Sequence, residues 1–101
     1  MIGKVLESSA VEVLVKMDFN DFEKNKNALK IGKYLKIQTG NFDFLIATIK
    51  SIKAIADNSG QDKYLLSAEP VGVVVDDKFI PGSTVLPSPT EPVDIADKSI
   101  L

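Results

Sequence analysis

The stretch that decides the fold is residues 29–55, which read LKIGKYLKIQTGNFDFLIATIKSIKAI. Its first half alternates in polarity, because Leu35 and Ile37 are interleaved with Tyr34, Lys36 and Gln38. Such a period of two residues is typical of a strand with one buried and one wet face. Gly32 precedes this strand where the chain must bend into the sheet, and Gly40-Asn41 after it suits the positive φ angles of a short turn. The sequence therefore predicts a β-hairpin here.

The second half of this stretch, residues 42–56, fits two structures. Its apolar residues recur at the spacing of one face of an amphipathic helix: Leu45, Ile49, Ile52 and Ala56. Many of its side chains are β-branched, which pack better on a pleated sheet: Ile46, Thr48, Ile49, Ile52 and Ile55. Periodicity alone leaves the helix and the strand open.

Strands are also predicted on both sides of this stretch. Residues 2–6 form a short first strand, and after a turn or bulge the alternation is cleanest at Val11, Val13, Val15 and Met17. Residues 57–62 read as a loop, and a strand resumes at residues 64–68. Pro70 cannot donate to a ladder and predicts an edge or a bulge. Residues 71–75 and 78–80 form a hairpin around Asp76-Asp77.

The polar stretch of residues 18–28 is predicted to be an exposed loop, although Asn20 or Asp21 suits the cap of a single helical turn. Phe19 and Phe22 are its only large apolar residues. Because an exposed phenylalanine is uncommon on a monomer surface, we expect both rings to fold back and cover one end of the core formed by the predicted strands. The alternative is a contact with a neighbouring chain.

The chain changes character after Gly82. Pro87, Pro89 and Pro92 fall close together, so residues 83–101 are predicted to run extended along a surface, outside the sheet. The apolar residues that follow have no remaining chain to pack against: Val93, Ile95, Ile100 and Leu101. We therefore expect a domain at residues 1–82 and a linker at residues 83–101 leading to a further domain. The alternative is a natural, frayed terminus.

The composition argues against an enzyme. The chain of 101 residues contains no cysteine, histidine, arginine or tryptophan, and so lacks the commonest general base, the commonest metal ligand and the best nucleophile. Gly32-Lys33 is not a phosphate-binding loop, because Asn27 stands where such a loop needs glycine and Tyr34 stands where it needs serine or threonine. We expect no catalytic residue, no metal and no cofactor. The absence of a membrane span, a signal peptide and cysteine fits the cytoplasm.

Charge is distributed unevenly along the chain. Residues 1–23 carry a net charge of −3, residues 24–56 of +6 and residues 57–101 of −5. Solvated faces of different strands are the simplest explanation. Weak contact of the basic segment with the phosphates of DNA is the other, with Lys24, Lys26 and Lys30 as candidates. Sequence-specific recognition is not expected, because arginine is absent.

Three groups of residues, in this order and spacing, resemble the HAS-barrel, the small β-barrel at the N-terminus of HerA-type DNA-translocating ATPases. They are IGKV at 2–5, GKYLKI at 32–37, and Gly72 followed by FIPGSTV at 79–85. The chain departs from the family at Lys33, where an acidic residue is frequent, and at Glu69-Pro70, which interrupts a strand that the family keeps continuous. The resemblance covers nearly all of the chain, and it selects a long, bent strand for residues 42–56.

The fold implied is all-β: a small closed or partly open antiparallel barrel of about six strands, with an extended, proline-rich C-terminal segment. The function implied is that of a HerA-like helicase module in DNA repair or phage defence. Such barrels assemble side by side on a ring-shaped, usually hexameric, ATPase and dock a NurA-type nuclease or an effector. ATP hydrolysis and DNA translocation belong to the following domain.

Two interaction hypotheses follow for the residues. In a homo-oligomeric ring, the basic segment of one barrel meets the acidic surface of the next, with Phe19, Phe22, Lys33, Lys36, Asp76 and Asp77 as candidate interface residues. Alternatively, the chain is an OB-like barrel that binds single-stranded nucleic acid along its lysines. A small enzyme is the weakest alternative.

Overall fold

In this computed structural model of the chain, residues 2–40, 43–56, 62–82 and 86–96 are described. They form seven strands and one short helix. In chain order these are β1 (Gly3–Ser8), β2 (Val13–Asp18), α1 (Phe19–Lys24), β3 (Tyr34–Gln38), β4 (Phe44–Ala56), β5 (Asp62–Val75), β6 (Lys78–Pro81) and β7 (Pro92–Ile95). The predicted loop at residues 57–61, and Asn41 and Phe42 of the predicted hairpin, lie outside the described residues.

Six of the strands close into an antiparallel barrel, as predicted. Around the barrel the order is β1, β2, β5, β4, β3 and β7, and β7 returns to β1. The seventh strand, β6, folds back on the C-terminal part of β5 in a hairpin. Residues with period-2 spacing point inward, which is why Val13, Val15 and Met17 of β2 are all buried.

β4 is the long, bent strand, and the helical alternative for this segment is wrong. Its pairing with β5 shifts register between Ile46 and Ala47 and again between Ile49 and Ser51. Such irregularities bend a strand around a small barrel. The first shift lies opposite Pro70, which confirms the bulge predicted there. β5 nevertheless continues through Pro70 without interruption.

The C-terminal segment corrects the expectation for residues 83–101. Residues 92–95 do not leave the sheet, because they form β7 between β1 and β3. Pro92 is the first residue of this strand, where a missing N–H is tolerated. Val93 is fully buried in the core. The barrel therefore extends to Ile95, and the boundary predicted after Gly82 is wrong; Ile100 and Leu101 lie outside the described residues.

Residues 18–28 also differ from the prediction of a loop. Residues 19–24 form α1, and Asp18 takes the N-cap position without a side-chain hydrogen bond, so neither Asn20 nor Asp21 is the cap. Phe22 of α1 joins the core cluster together with Leu29, which lies in the connection to β3. The rest of this cluster comes from the strands: Val5, Val13, Val15, Met17, Leu35, Ile37, Leu45, Ala47, Ile49, Leu66, Ala68, Val73 and Val93.

Candidate interaction surfaces at the two ends of the barrel

The connections between the strands lie at two opposite ends of the barrel, because paired strands run antiparallel. α1 and residues 25–33 join β2 to β3 at one end. Residues 9–12, 39–40, 43 and 76–77 lie at the other end. We call the first the basic end and the second the acidic end, for the charges they carry.

The basic end carries the three lysines predicted as nucleic-acid contacts. Lys24 is the last residue of α1, and Lys26 and Lys30 follow in the connection to β3; all three are exposed. Lys26 lies 3.9 Å from Glu23, in a solvated ion pair that contributes little to stability. Within the described part of the chain, Lys24 and Lys30 form no ion pair. Their positive charge is therefore available to a ligand.

An aromatic stack fixes α1 on the barrel. The ring of Phe22 lies 3.9 Å from that of Tyr64 on β5, with an angle of 13° between the two planes. Phe19 lies 6.3 Å from the same tyrosine ring and is 42% exposed. The prediction that both phenylalanines fold back on the barrel is thus confirmed for Phe22 and half right for Phe19, whose ring is partly open to solvent.

The last turn before β3 completes the basic end. Gly32 has a φ of +93°, a left-handed conformation that favours glycine. Its N–H donates to the carbonyl of Ile49, and the N–H of Ile49 donates to the carbonyl of Lys33. These bonds hold the turn against β4, so that Ile31, 68% exposed, and the exposed Lys33 stand beside the barrel mouth.

The acidic end has the opposite charge. Its connections carry Glu12, Asp43, Asp76 and Asp77, and their described residues include no lysine. Asp76 and Asp77 have φ angles of 50° and 62° and form the two-residue turn between β5 and β6. They therefore project from the tip of the hairpin that the sequence predicted. Both are exposed and suited to an electrostatic contact.

The lysines of residues 24–56 do not form one continuous face. Lys33 belongs to the basic end, whereas Lys36 lies on the barrel wall in β3, with its Nζ 4.6 Å from the centre of the Phe44 ring. Lys50 on β4 lies 3.4 Å from Glu69 on β5. The structure thus separates Lys33 from Asp76 and Asp77 by the length of the barrel.

A groove beside β1 was missed by the sequence analysis. It has a volume of about 210 Å³ and is lined by Ile2, Gly3, Lys4, Lys16, Asp18 and Asp21. Lys4 and Lys16 face each other across β1 and β2, and Asp18 is bonded to Lys63 at 2.5 Å. Alternation indicates that both lysines point outward, but only the strand register brings them together. The groove mixes both signs of charge and holds no base or nucleophile paired for reaction.

Among the described residues, no group of three or more acidic side chains is placed to hold a metal ion. No helix in the same ranges is long and apolar enough to cross a membrane. No model of a known protein family matches the chain, and no curated protein is similar to it at a significant level. The features that stand out are two oppositely charged ends on a closed barrel.

Proposed function

We propose that the chain is the N-terminal barrel of a HerA-like DNA translocase, where it serves ring assembly and the docking of a nuclease or effector. The observation that carries this proposal is the placement of opposite charges at opposite ends of one closed barrel. Contacts between identical subunits in a ring are heterologous, so they join two different surfaces of the same chain. A barrel with a basic end and an acidic end offers two such surfaces.

The residues that resemble the HAS-barrel family support the same assignment, because two of the glycines have defined structural roles. Gly32 forms the left-handed turn that leads into β3. Gly72 is a residue of β5 and pairs with Pro81 of β6. A Cβ atom added there would come within 2.5 Å of the carbonyl of Ile80 and 2.7 Å of the Phe79 ring. The motif residues thus shape the barrel itself, as expected for a structural module.

In the proposed contact, the basic end of one barrel meets the hairpin tip of the next. Lys33 and its lysine neighbours supply the positive charge, and Asp76 and Asp77 supply the negative charge. Phe19 and Ile31 are exposed apolar side chains at the basic end, and they would lose contact with water in the contact. The charges steer and orient the subunits, while the apolar residues contribute affinity.

The test is a charge exchange between the two surfaces in the full-length protein. Replacing Asp76 by Asn and Asp77 by Gly removes both charges, and Asn-Gly is the preferred pair for a two-residue turn with positive φ angles. The variant should therefore fold at least as well as the original and assemble less completely, most clearly at low salt, in sedimentation velocity. Lys33→Glu should have the same effect, and combining it with Asp76→Lys should restore assembly.

The matched control is Lys16→Glu, a charge change at an exposed lysine of β2 that belongs neither to the hairpin tip nor to the segment of α1 and residues 25–33. It should leave assembly unchanged. If the Asn-Gly variant assembles fully at low salt, the hairpin tip is not the contact and the proposed geometry is wrong. A reading frame that continues past Leu101 into a Walker A loop is the expected genetic context.

Binding of single-stranded nucleic acid is the second candidate, and one observation favours it. The partly exposed ring of Phe19 lies on α1, the element that Lys24 ends and that Lys26 follows, and this pairs a surface for base stacking with charge for phosphates. A titration with a labelled single strand distinguishes the two functions. Binding that weakens steeply with salt and falls in Phe19→Ala and Lys24→Gln supports this candidate, whereas no binding supports the assembly module.

A further inference from the structure

β4 is longer than the strand that pairs with it on one side. β3 covers β4 from Phe44 to Thr48, and the backbone of residues 32–33 covers Ile49. Among the described strands, residues 51–56 pair only with β5, in a ladder that runs from Ser51 opposite Ser67 to Ala56 opposite Asp62, and Lys50 lies at the register shift before it. No backbone hydrogen bond from elsewhere in the described chain reaches this side of residues 50–56. Roughly 23 Å of strand edge is therefore left unpaired by the residues that the structure describes, at about 3.3 Å per residue.

The two faces of this edge differ in character. Ile52 packs against the core cluster and lies opposite the buried Leu66, so Ile52, Ala54 and Ala56 share one side of the strand, on which Ile52 is half-buried and the two alanines are exposed. Ser51, Lys53 and Ile55 alternate with them on the outer side. A strand added here would therefore meet small and aliphatic side chains on one face and a lysine on the other.

The charge of the edge argues against pairing with itself. Residues 50–56 contain Lys50 and Lys53 and no carboxylate. Lys50 is drawn to Glu69, but both side chains are more than half exposed, so its charge is only partly compensated. Antiparallel pairing of two copies through this edge would bring lysines together, which is unfavourable. Lysine on an edge strand is a known protection against such self-association.

β6 of a second copy is also a poor strand for this edge. It has only four residues, and its last one, Pro81, has no N–H to donate. An extended segment of another protein meets neither difficulty, and acidic residues on it would complement Lys50 and Lys53. Apolar residues at alternate positions would meet Ile52 and Ala54.

We propose that residues 50–56 of β4 form a strand-addition site, which binds an extended segment of a partner protein with alternating acidic and apolar residues. Main-chain hydrogen bonds supply affinity and the alternate side chains supply specificity, as in other cases of strand addition. This deepens the partner-docking part of the proposed function. It stands apart from ring assembly, because Lys53 is not part of the contact between the basic and acidic ends.

The probe is a fluorescent nine-residue peptide of alternating Glu and Val, titrated into the 101-residue chain and followed by anisotropy. Saturable binding is expected, together with slower amide hydrogen exchange at residues 51–56 when the peptide is bound. The same peptide with a methyl group on every backbone nitrogen can donate no main-chain hydrogen bond from either edge and should not bind. A peptide of alternating Lys and Val should bind at least about tenfold more weakly, since one attractive pair becomes repulsive.

Lys53→Glu should weaken binding of the Glu-Val peptide about five- to tenfold, because the exposed side chain changes sign. Lys78→Glu is the matched control and should leave binding unchanged. The proposal is overturned if those amides of residues 51–56 that do not donate to β5 are already slow to exchange in the free chain, or if their protection rises with protein concentration alone. Equal binding of the N-methylated peptide would also overturn it. Failure of the Asn-Gly variant to affect assembly bears on the ring contact alone, so the two proposals can fail separately.

Discussion

The rings of Phe22 and Tyr64 stack at a centroid distance of 3.9 Å, and this contact joins α1 to β5 at the basic end of the barrel. Phe22 is 6% exposed and belongs to the core cluster. Its truncation leaves a cavity where the barrel mouth is closed. We therefore expect Phe22→Ala to lower the free energy of unfolding by about 3 kcal/mol, measured by urea denaturation.

Phe19→Ala is the matched control, because Phe19 contacts the same tyrosine ring at 6.3 Å and is 42% exposed. It should lower the free energy of unfolding by less than about 1 kcal/mol. Equal losses in the two variants would show that α1 is not held by the buried ring.

Gly72 is predicted to tolerate no side chain. A Cβ atom there would lie 2.5 Å from the carbonyl of Ile80 and 2.7 Å from the Phe79 ring, and the carbonyl is backbone that cannot rotate away. Gly72→Ala should therefore cost about 1–3 kcal/mol of stability in thermal or urea unfolding, and the hairpin of β5 and β6 should shift. Gly40→Ala is the control, because among the described residues no atom beyond its chain neighbours lies within 4 Å of a Cβ added there. Its stability should stay the same or rise by less than about 1 kcal/mol.

The third prediction concerns β7, which closes the barrel. A chain ending at Gly82 lacks β7, so β1 and β3 each lose the partner on the edge that β7 covers. It should lose cooperative unfolding and its dispersed amide spectrum. A chain ending at Ala96 keeps β7, and should retain both. Cooperative folding of the shorter chain would contradict a barrel closed by β7.

Thr90 is predicted to be a strained position. Its φ is 75°, a conformation that is a genuine outlier for a β-branched residue, and its N–H donates to the carbonyl of Val5 at 2.7 Å. Thr90→Gly keeps this hydrogen bond and removes the strain, so the free energy of unfolding should rise by about 1 kcal/mol, measured by urea denaturation. Thr90→Val keeps the branch and should give no gain; a stabilised valine variant would argue against backbone strain.

The strands with regular alternation were predictable from sequence. The alternation that predicts β2 is carried by Val13, Val15 and Met17, and the one that predicts β3 by Leu35 and Ile37. In both strands each buried side chain is two residues from the next. β4 required the resemblance to a barrel family, since its register shifts break the period that would otherwise mark a strand.

β7 and α1 were missed for different reasons. Val93 and Ile95 carry the alternation of a strand, but the run has four residues and follows several prolines, and its partners are distant in sequence. In α1 most residues are polar, and the spacing of its two phenylalanines is the feature that indicates a helix. Phe19 and Phe22 are three residues apart, a spacing that places both on the same face of a helix.

The site was predicted in part. Positive charge at residues 24–33 and negative charge at Asp76 and Asp77 are visible in the sequence, but their placement at opposite ends depends on the topology. The unpaired length of β4 was not foreseeable, because no local pattern tells where β3 stops covering it. Lys4 and Lys16 illustrate the same limit, since only the register of β1 and β2 makes them neighbours.

The seam between β1 and β7 also determines when the molecule can finish folding. Gly3 pairs with Val93, so the last closure joins residues from the two ends of the sequence. Distant pairings of this kind slow folding, and a ribosome delivers the chain N-terminus first. β1 can pair with β2 early, but its other edge stays unpaired until residues 92–95 have been synthesised.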